Sequence, residues 1–299
     1  MTGWDVFSPD FILRNALYGS VMVGLVAPIV GVLVFMRHMV FLGVALPQIS
    51  MAGIAAAIFW HATFHRHGDP ALSDFVLALA GSSLCTTLAM ALLAMLERKR
   101  GGLTQGWIGV LYAAAGAVTI LLLASDRIAE IGVVGLMKGD VVTISDRELL
   151  ILLGGYVAIA GIILLFWKEF VLIAVDRDLA ISQGQRVWLW DLLLFAVVGI
   201  TISLGVLVVG PMVLFGFLVA PPMIAARVVI GVGALAWTAA VIGGGTALLG
   251  FMLARRWDWP TGPTDVTLVC LLLALITAFQ AVRARVRRSA PGTVPTASP

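Results

Sequence analysis

Few residues in this chain could ligate or transfer anything, and most of those have a quieter use. His61, His65 and His67 carry the spacing of a metal site, because positions 61 and 65 would share one face if the helix before them continued. The same residues fit a polar helix end at a membrane surface, and the sequence leaves both readings open. Asp176, Arg177, Asp178, Leu179 and Ala180, with Gly184 behind them, describe a short capped helix with acids in its first turn and a glycine stop. Such a helix outside the bilayer is either a docking element for a soluble subunit or an amphipathic connector. Cys85 and Cys270 lie inside apolar runs and read as packed thiols, not as a disulfide or a metal pair.

Catalysis has little to draw on. The apolar runs contain almost no acid, base or nucleophile with a partner. No glycine-rich stretch is followed by Lys and Ser or Thr to cradle phosphates, and Gly243, Gly244 and Gly245 read as close helix packing. The chain is therefore expected not to be an enzyme and to bind no cofactor; ATP and its magnesium, if used, belong to another chain. A transporter driven by an ion gradient needs a carboxylate or histidine relay buried at mid-membrane, and no span is expected to supply one.

The elements that must position these residues are helices in a bilayer. Of 299 residues, 61% are hydrophobic and 12% charged, whereas soluble domains carry about a quarter charged residues. An all-α polytopic integral membrane protein of about eight or nine transmembrane helices follows. The formal net charge of +3 is too small to signal nucleic acid. One membrane domain is expected over residues 15–282, with a segment 1–14 before it and a basic, disordered tail 283–299 after it. Asp5, Asp10 and Arg14 interrupt the start, so no cleavable signal is expected.

The organising stretch runs from Leu192 to Ala226 and contains no ionisable side chain. As one straight helix it would be roughly 50 Å long, against a hydrocarbon core of about 30 Å. Gly210 and Pro211 predict a tight reversal in its middle, and Pro221, followed by Pro222, a further break. Broken backbone inside a bilayer survives only where protein or a water-filled path surrounds it. This hairpin is the first candidate for lining a passage.

Uncharged runs predict spans over 15–36, 39–60, 75–96, 107–124 and 149–167, two in the hairpin, then 228–254 and a short 266–282. The dense basic clusters Arg98 to Arg100 and Arg283 to Arg288 belong on the cytoplasmic side, which requires an even number of crossings between them. The count is even only if the broken run crosses twice. It also places Arg37, residues 168–190 and Arg227 inside, with the N-terminus and the histidine loop outside. Arg255 and Arg256 fall outside, beside the interfacial Trp257 and Trp259.

In combination these features resemble the membrane, or permease, subunit of ATP-binding-cassette importers for zinc, manganese and iron(II). The likeness is strongest at Asp176, Asp178, Ala180, Gly184, Val209, Gly210, Pro221 and Ala225 to Arg227. Weaker likeness extends over Met39 to Gly53, Ile108 with Gly109, Gly139 with Asp140, and Gly262 with Pro263.

The resemblance implies a type II importer-like permease of the bacterial cytoplasmic membrane with a cytoplasmic C-terminus. It also implies a homodimer around a central path, a cytoplasmic ATPase dimer docked on Asp176, Asp178, Leu179, Ala180 and Gly184, and an extracytoplasmic metal-binding protein. The family's second helix typically carries an Asp and, four residues on, a His; Val44 and Gln48 stand here instead. Valine cannot ligate, and an amide is a poor substitute for imidazole with zinc. Either the binding protein selects the metal and Gln48, Ser50, Ser82, Ser83, Thr86 and Thr87 provide a polar path, or the cargo is another metal, a chelate or a small organic nutrient.

Overall fold

The computed structural model describes residues 14–37, 39, 41–64, 74–99, 104–125 and 144–289. Among them every regular element is a helix: α1 (Arg14–Met36), α2 (Leu42–Phe64), α3 (Asp74–Lys99), α4 (Thr104–Ser125), α5 (Asp146–Leu165), α6 (Trp167–Val175), α7 (Arg177–Ser182), α8 (Val187–Val228), α9 (Val232–Trp257) and α10 (Thr261–Ser289). Eight of these helices are long and apolar enough to cross a membrane.

The longest of them, α8, is 42 residues, and its only non-helical residue is Gly210, at φ 78° and ψ 167°. That combination is essentially restricted to glycine. The chain doubles back there. A Cβ built on Gly205 would lie 2.6 Å from a methyl of Leu214, although nine residues of unbroken helix would separate them by about 13 Å. Both ends of α8 also meet the same end of α1. Asp191 pairs with Arg37, while Ala225 packs with Val32 and Met36; near the apex, Val208 touches Gly19 at the opposite end of α1. The expected reversal is therefore present, and among the described residues it divides the eight long apolar helices into nine apolar segments.

Pro221 is a correction. The helix continues through Pro221 and Pro222, with Gly210 the single interruption. A proline at position i removes the amide that would bond the carbonyl of i−4, so Pro222 frees the carbonyl of Leu218. Gly31 of α1 lies against that oxygen, where a Cβ would collide with it. The same device recurs at Pro28, which frees the carbonyl of Gly24; Gly243 of α9 lies against that oxygen. Pro28 and Pro222 are each accommodated by a glycine on a neighbouring helix.

α1 and α8 form the centre, with α9 antiparallel to α1. Phe251 packs near Ala16 and Leu17, whereas Ala239 meets Val32. Gly53 and Gly81 bring α2 and α3 into backbone contact. The outer helices α4 and α5 present Ile120, Leu121, Leu150 and Leu165 outward, each more than 60% exposed. Trp257 and Trp259 stack at 5.2 Å around Asp258, whose left-handed backbone ends α9. α10 runs on to Ser289, so residues 283–289, expected in a disordered tail, are helical; residues 1–13 and 290–299 lie outside the described set.

A methyl at Gly31 forces α1 away from the backbone of Leu218, and a side chain at Gly210 occupies a glycine-only conformation. Gly31→Ala and Gly210→Ala are each expected to cost about 1–3 kcal/mol. Gly245→Ala, whose added methyl meets nothing within 4 Å, is expected to be neutral or slightly stabilising. Thermal unfolding of the three purified variants in one detergent checks the order.

Candidate functional site

The polar features gather in two places: a short helix at the end of the bundle where α8 begins and ends, and a ladder of hydroxyls between α2, α3 and α8. The short helix is α7. Asp176, in extended backbone, is its cap: its carboxylate accepts from the Leu179 amide at 2.9 Å. Gly184, at φ 74°, ends it, and the Gly184 amide donates to the Ile181 carbonyl at 2.9 Å.

Beneath α7, Ala180 is fully buried against Ile173 of α6 and Val187 of α8. On its outer side Asp178 is exposed, as are Leu179 (45%) and Ile181 (56%). Two apolar side chains beside an acid, on a helix seated by a small residue, make a surface suited to a partner. α6 is fixed in turn by Phe166 and Phe170, which meet Trp190 of α8 edge-on at 5.2 and 6.1 Å.

One carboxylate joins this helix to the bundle. Asp191, 9% exposed, lies 2.7 Å from Nη2 of Arg37 and 2.9 Å from Nη2 of Arg177. The Arg37 contact is an ion pair by distance whose N–H is not aligned for a hydrogen bond. Arg37 also lies over the Phe195 ring, 5.7 Å from its centroid. In the sequence Arg37 serves only to orient the chain, and nothing singles out Asp191. An acid in the first turns of α8 was visible, but its partners are too far away along the chain to read from the sequence.

The hydroxyl ladder is wholly buried. Ser50 and Ser82 share a hydrogen bond of 2.6 Å, and Thr86 and Ser203 one of 3.0 Å. Thr86 also donates to the Ser82 carbonyl at 2.9 Å. These four side chains have no exposed surface and serve as polar cement between three helices.

The residues expected along a path therefore divide. Ser50 faces α3. Gln48 faces α4, with its Nε2 3.5 Å from where a Cβ on Gly116 would stand. Val44, one turn before Gln48, is half-buried like it. Ser83 is half-buried and Thr87 exposed.

The three histidines cannot be assembled here. His61 is half-buried in the last turn of α2, while His65 and His67 lie outside the described residues. Among the described residues no group of three or more His, Cys, Asp or Glu could hold a metal ion. Cys85 and Cys270 are free thiols.

One acid corrects the sequence reading. Asp265 stands just outside the expected span 266–282, yet it lies in the first turns of α10 and is 1% exposed. Its Oδ2 accepts from Ser20 Oγ at 3.5 Å, and its Oδ1 faces the backbone of Gly250. Gly262 and Pro263 read as a loop, but proline is well tolerated in a first helical turn, where its missing amide costs nothing. Oδ1 of Asp265 is buried and has no hydrogen-bond partner among the described residues.

Comparison with known proteins accounts for this arrangement. The model of the ABC 3 transport family matches residues 10–281. The zinc transport system membrane protein TroC of Treponema pallidum (strain Nichols) is 27% identical over 272 residues, covering 89% of this chain and 88% of that one. The manganese transport system membrane protein MntC of Halalkalibacterium halodurans is 24% identical over 267 residues, covering 89% and 87%. A solved structure titled PsaBC from Streptococcus pneumoniae in complex with Fab has the same fold. Its TM-score is 0.77 at 19% identity, over 92% of this chain and 94% of that one. The chain belongs to the ABC 3 transport family.

The cap makes α7 separately testable. Asp176→Ala is expected to cost about 1 kcal/mol of local helix stability, and so to speed amide exchange at Leu179 roughly fivefold. Asp176→Asn keeps an accepting oxygen and is expected to leave the exchange near that of the natural protein. Hydrogen–deuterium exchange resolved over residues 176–184 checks both.

Proposed function

We propose that this chain is the permease subunit of an ATP-driven importer that moves a divalent metal ion, zinc first and manganese or iron(II) next, into the cell. The observation that carries the reading is α7, an exposed, capped helix seated on α6 and the base of the hairpin. It stands in a chain that matches a transport family over nearly its whole length. The relatives' names supply zinc and manganese as cargo.

On this reading the end of the bundle with Arg37, α7 and Arg227 is cytoplasmic, as its basic residues favour. α10 then ends in the cytoplasm, α1 starts at the periplasmic side, and the membrane is the bacterial cytoplasmic one. Two copies of the chain enclose the path. A dimer of a soluble ATPase, carrying the ATP and magnesium, docks on Asp176, Asp178, Leu179, Ala180 and Gly184, and an extracytoplasmic metal-binding protein delivers the cargo. Val44 and Gln48, on the α4-facing side of α2, border the path, with Ser50 holding α2 to α3 behind it. This chain's part is not enzymatic: it converts movement of the docked ATPase into a change in access.

A second reading keeps the architecture and changes the cargo to a metal chelate or small organic nutrient. The observation in its favour is Val44 and Gln48 themselves. A hydrocarbon and a neutral amide make a poor site for a bare zinc ion, but they tolerate a cargo that brings its own ligands.

Reconstitution with the cognate ATPase and binding protein in liposomes decides between them. ATP-dependent uptake of zinc, manganese or iron(II), each supplied alone, is the expected result; no uptake of any free ion by a complex that hydrolyses ATP favours the chelate. Docking is tested separately. Asp178→Arg with Leu179→Arg, both exposed, is expected to reduce co-purification of the ATPase at least tenfold without lowering the yield of inserted permease. Undiminished co-purification would remove α7 from that role.

A further inference from the structure

We infer that Asp191 is the positioning residue through which the docking helix acts on the membrane helices, with Arg37 and Arg177 as its two arms. The inference rests on the proposed role of α7 and adds to it a route from α7 into the bilayer.

The geometry concentrates three elements on one carboxylate. Arg177 is the first residue of α7, Arg37 directly follows α1, and Asp191 lies on the arm of α8 that rises to Gly210. Oδ2 of Asp191 faces Arg177 at 2.9 Å and Oδ1 faces Arg37 at 2.7 Å. Each oxygen thus serves a different helix. A rotation or shift of α7 pulls on one oxygen, and because the carboxylate is rigid and nearly buried, the pull passes to α1 and to the hairpin.

The two arms are unequal in a way that suits transmission. The Arg177 side chain is half exposed, at 52%, and can follow α7; the Arg37 and Asp191 side chains, at 10% and 13%, cannot leave without uncovering charge. The buried pair is also incompletely bonded. Arg37 Nε is buried and has no hydrogen-bond partner among the described residues. A guanidinium has five donors in a fixed fork, so this one can take a different alignment on Asp191 as the helices move. Buried ion pairs are weak evidence for stability and better attested as registry devices or switches. The packing of Ala180 on Ile173 and Val187 is apolar, and such contacts slide more readily than a charge-assisted one.

The experiment compares Arg177→Gln, Arg37→Gln and Asp191→Glu in liposomes with the cognate ATPase and binding protein. Zinc(II), manganese(II) and iron(II) are supplied separately, and ions taken up are counted against ATP hydrolysed. Arg37 lies outside the docking helix, so its variant separates transmission from docking. Both glutamine variants are expected to keep the ATPase bound and hydrolysing while the ions moved per ATP fall at least fivefold; Asp191→Glu, which keeps the charge, is expected to recover at least half of the natural ratio.

A network that merely holds the fold predicts otherwise: lower yield and melting temperature with an unchanged ratio in the protein that remains. An unchanged ratio in Arg37→Gln overturns the inference. So does loss confined to Arg177→Gln together with loss of the bound ATPase, because that is a docking defect. Failure of the unaltered chain to bind the ATPase or to move any of the three ions overturns the functional reading, and the inference with it.

Discussion

Inside a bilayer a backbone carbonyl without its helical donor has no water to turn to, and each such group costs several kcal/mol if left bare. This chain creates the problem repeatedly by placing Pro28, Pro221 and Pro222 inside long apolar helices. At two of these sites the answer is the same. The carbonyl freed by Pro28 lies against Gly243, and that freed by Pro222 lies against Gly31. A Cα–H contact to each oxygen is worth at most about 1 kcal/mol, but the larger effect is exclusion of lipid from a polar atom. These contacts lock α1 between α9 and the returning arm of α8. Much of the bundle's internal geometry follows from them.

Gly210 then decides which parts of the chain share a membrane face. Without the reversal, the ends of α8 would lie on opposite sides of the bilayer; with it, Asp191 and Ala225 both meet the Arg37 end of α1. A short helix at the base of the hairpin can therefore touch α1 and α8 together. Between α2, α3 and α8 the chain uses hydroxyls rather than charges. Ser50, Ser82, Thr86 and Ser203 satisfy one another or the backbone with no exposed surface, which fixes three helices without the desolvation penalty of ions. The charge-bearing joint sits at the bundle's end, where water can reach at least the Arg177 arm.

What was legible in the sequence is what local chemistry dictates. The spans, the reversal at Gly210 and the capped helix from Asp176 to Gly184 each need only neighbouring residues, so pattern and propensity suffice. Pro221 misled because proline breaks a helix in isolation, whereas here the Leu218 carbonyl freed by the adjacent Pro222 lies against Gly31, more than 180 residues earlier in the chain. Asp265 misled for a related reason. Its side chain is buried by Ser20 and Gly250, and no local rule places those residues beside it. The partners of Asp191 were hidden likewise. A polar group's neighbours across a bundle depend on helix rotation, and helices apolar on every side do not encode that rotation in their periodicity.

The same limit bears on the path. Val44 and Gln48 share one side of α2, Ser50 another, so the polar residues first grouped by type do not line one surface. That division has a physical consequence for the proposed transport. A site that must release its cargo after each cycle gains nothing from ligands that bind tightly; entry has to be favourable, but exit has to remain fast. A delivering protein can supply the selection, because choice between metals rests on ligand type and on presentation more than on raw affinity. A valine and an amide at the border of the path, with the hydroxyls withdrawn into the helix contacts, would then make a conduit of low affinity rather than a defective site.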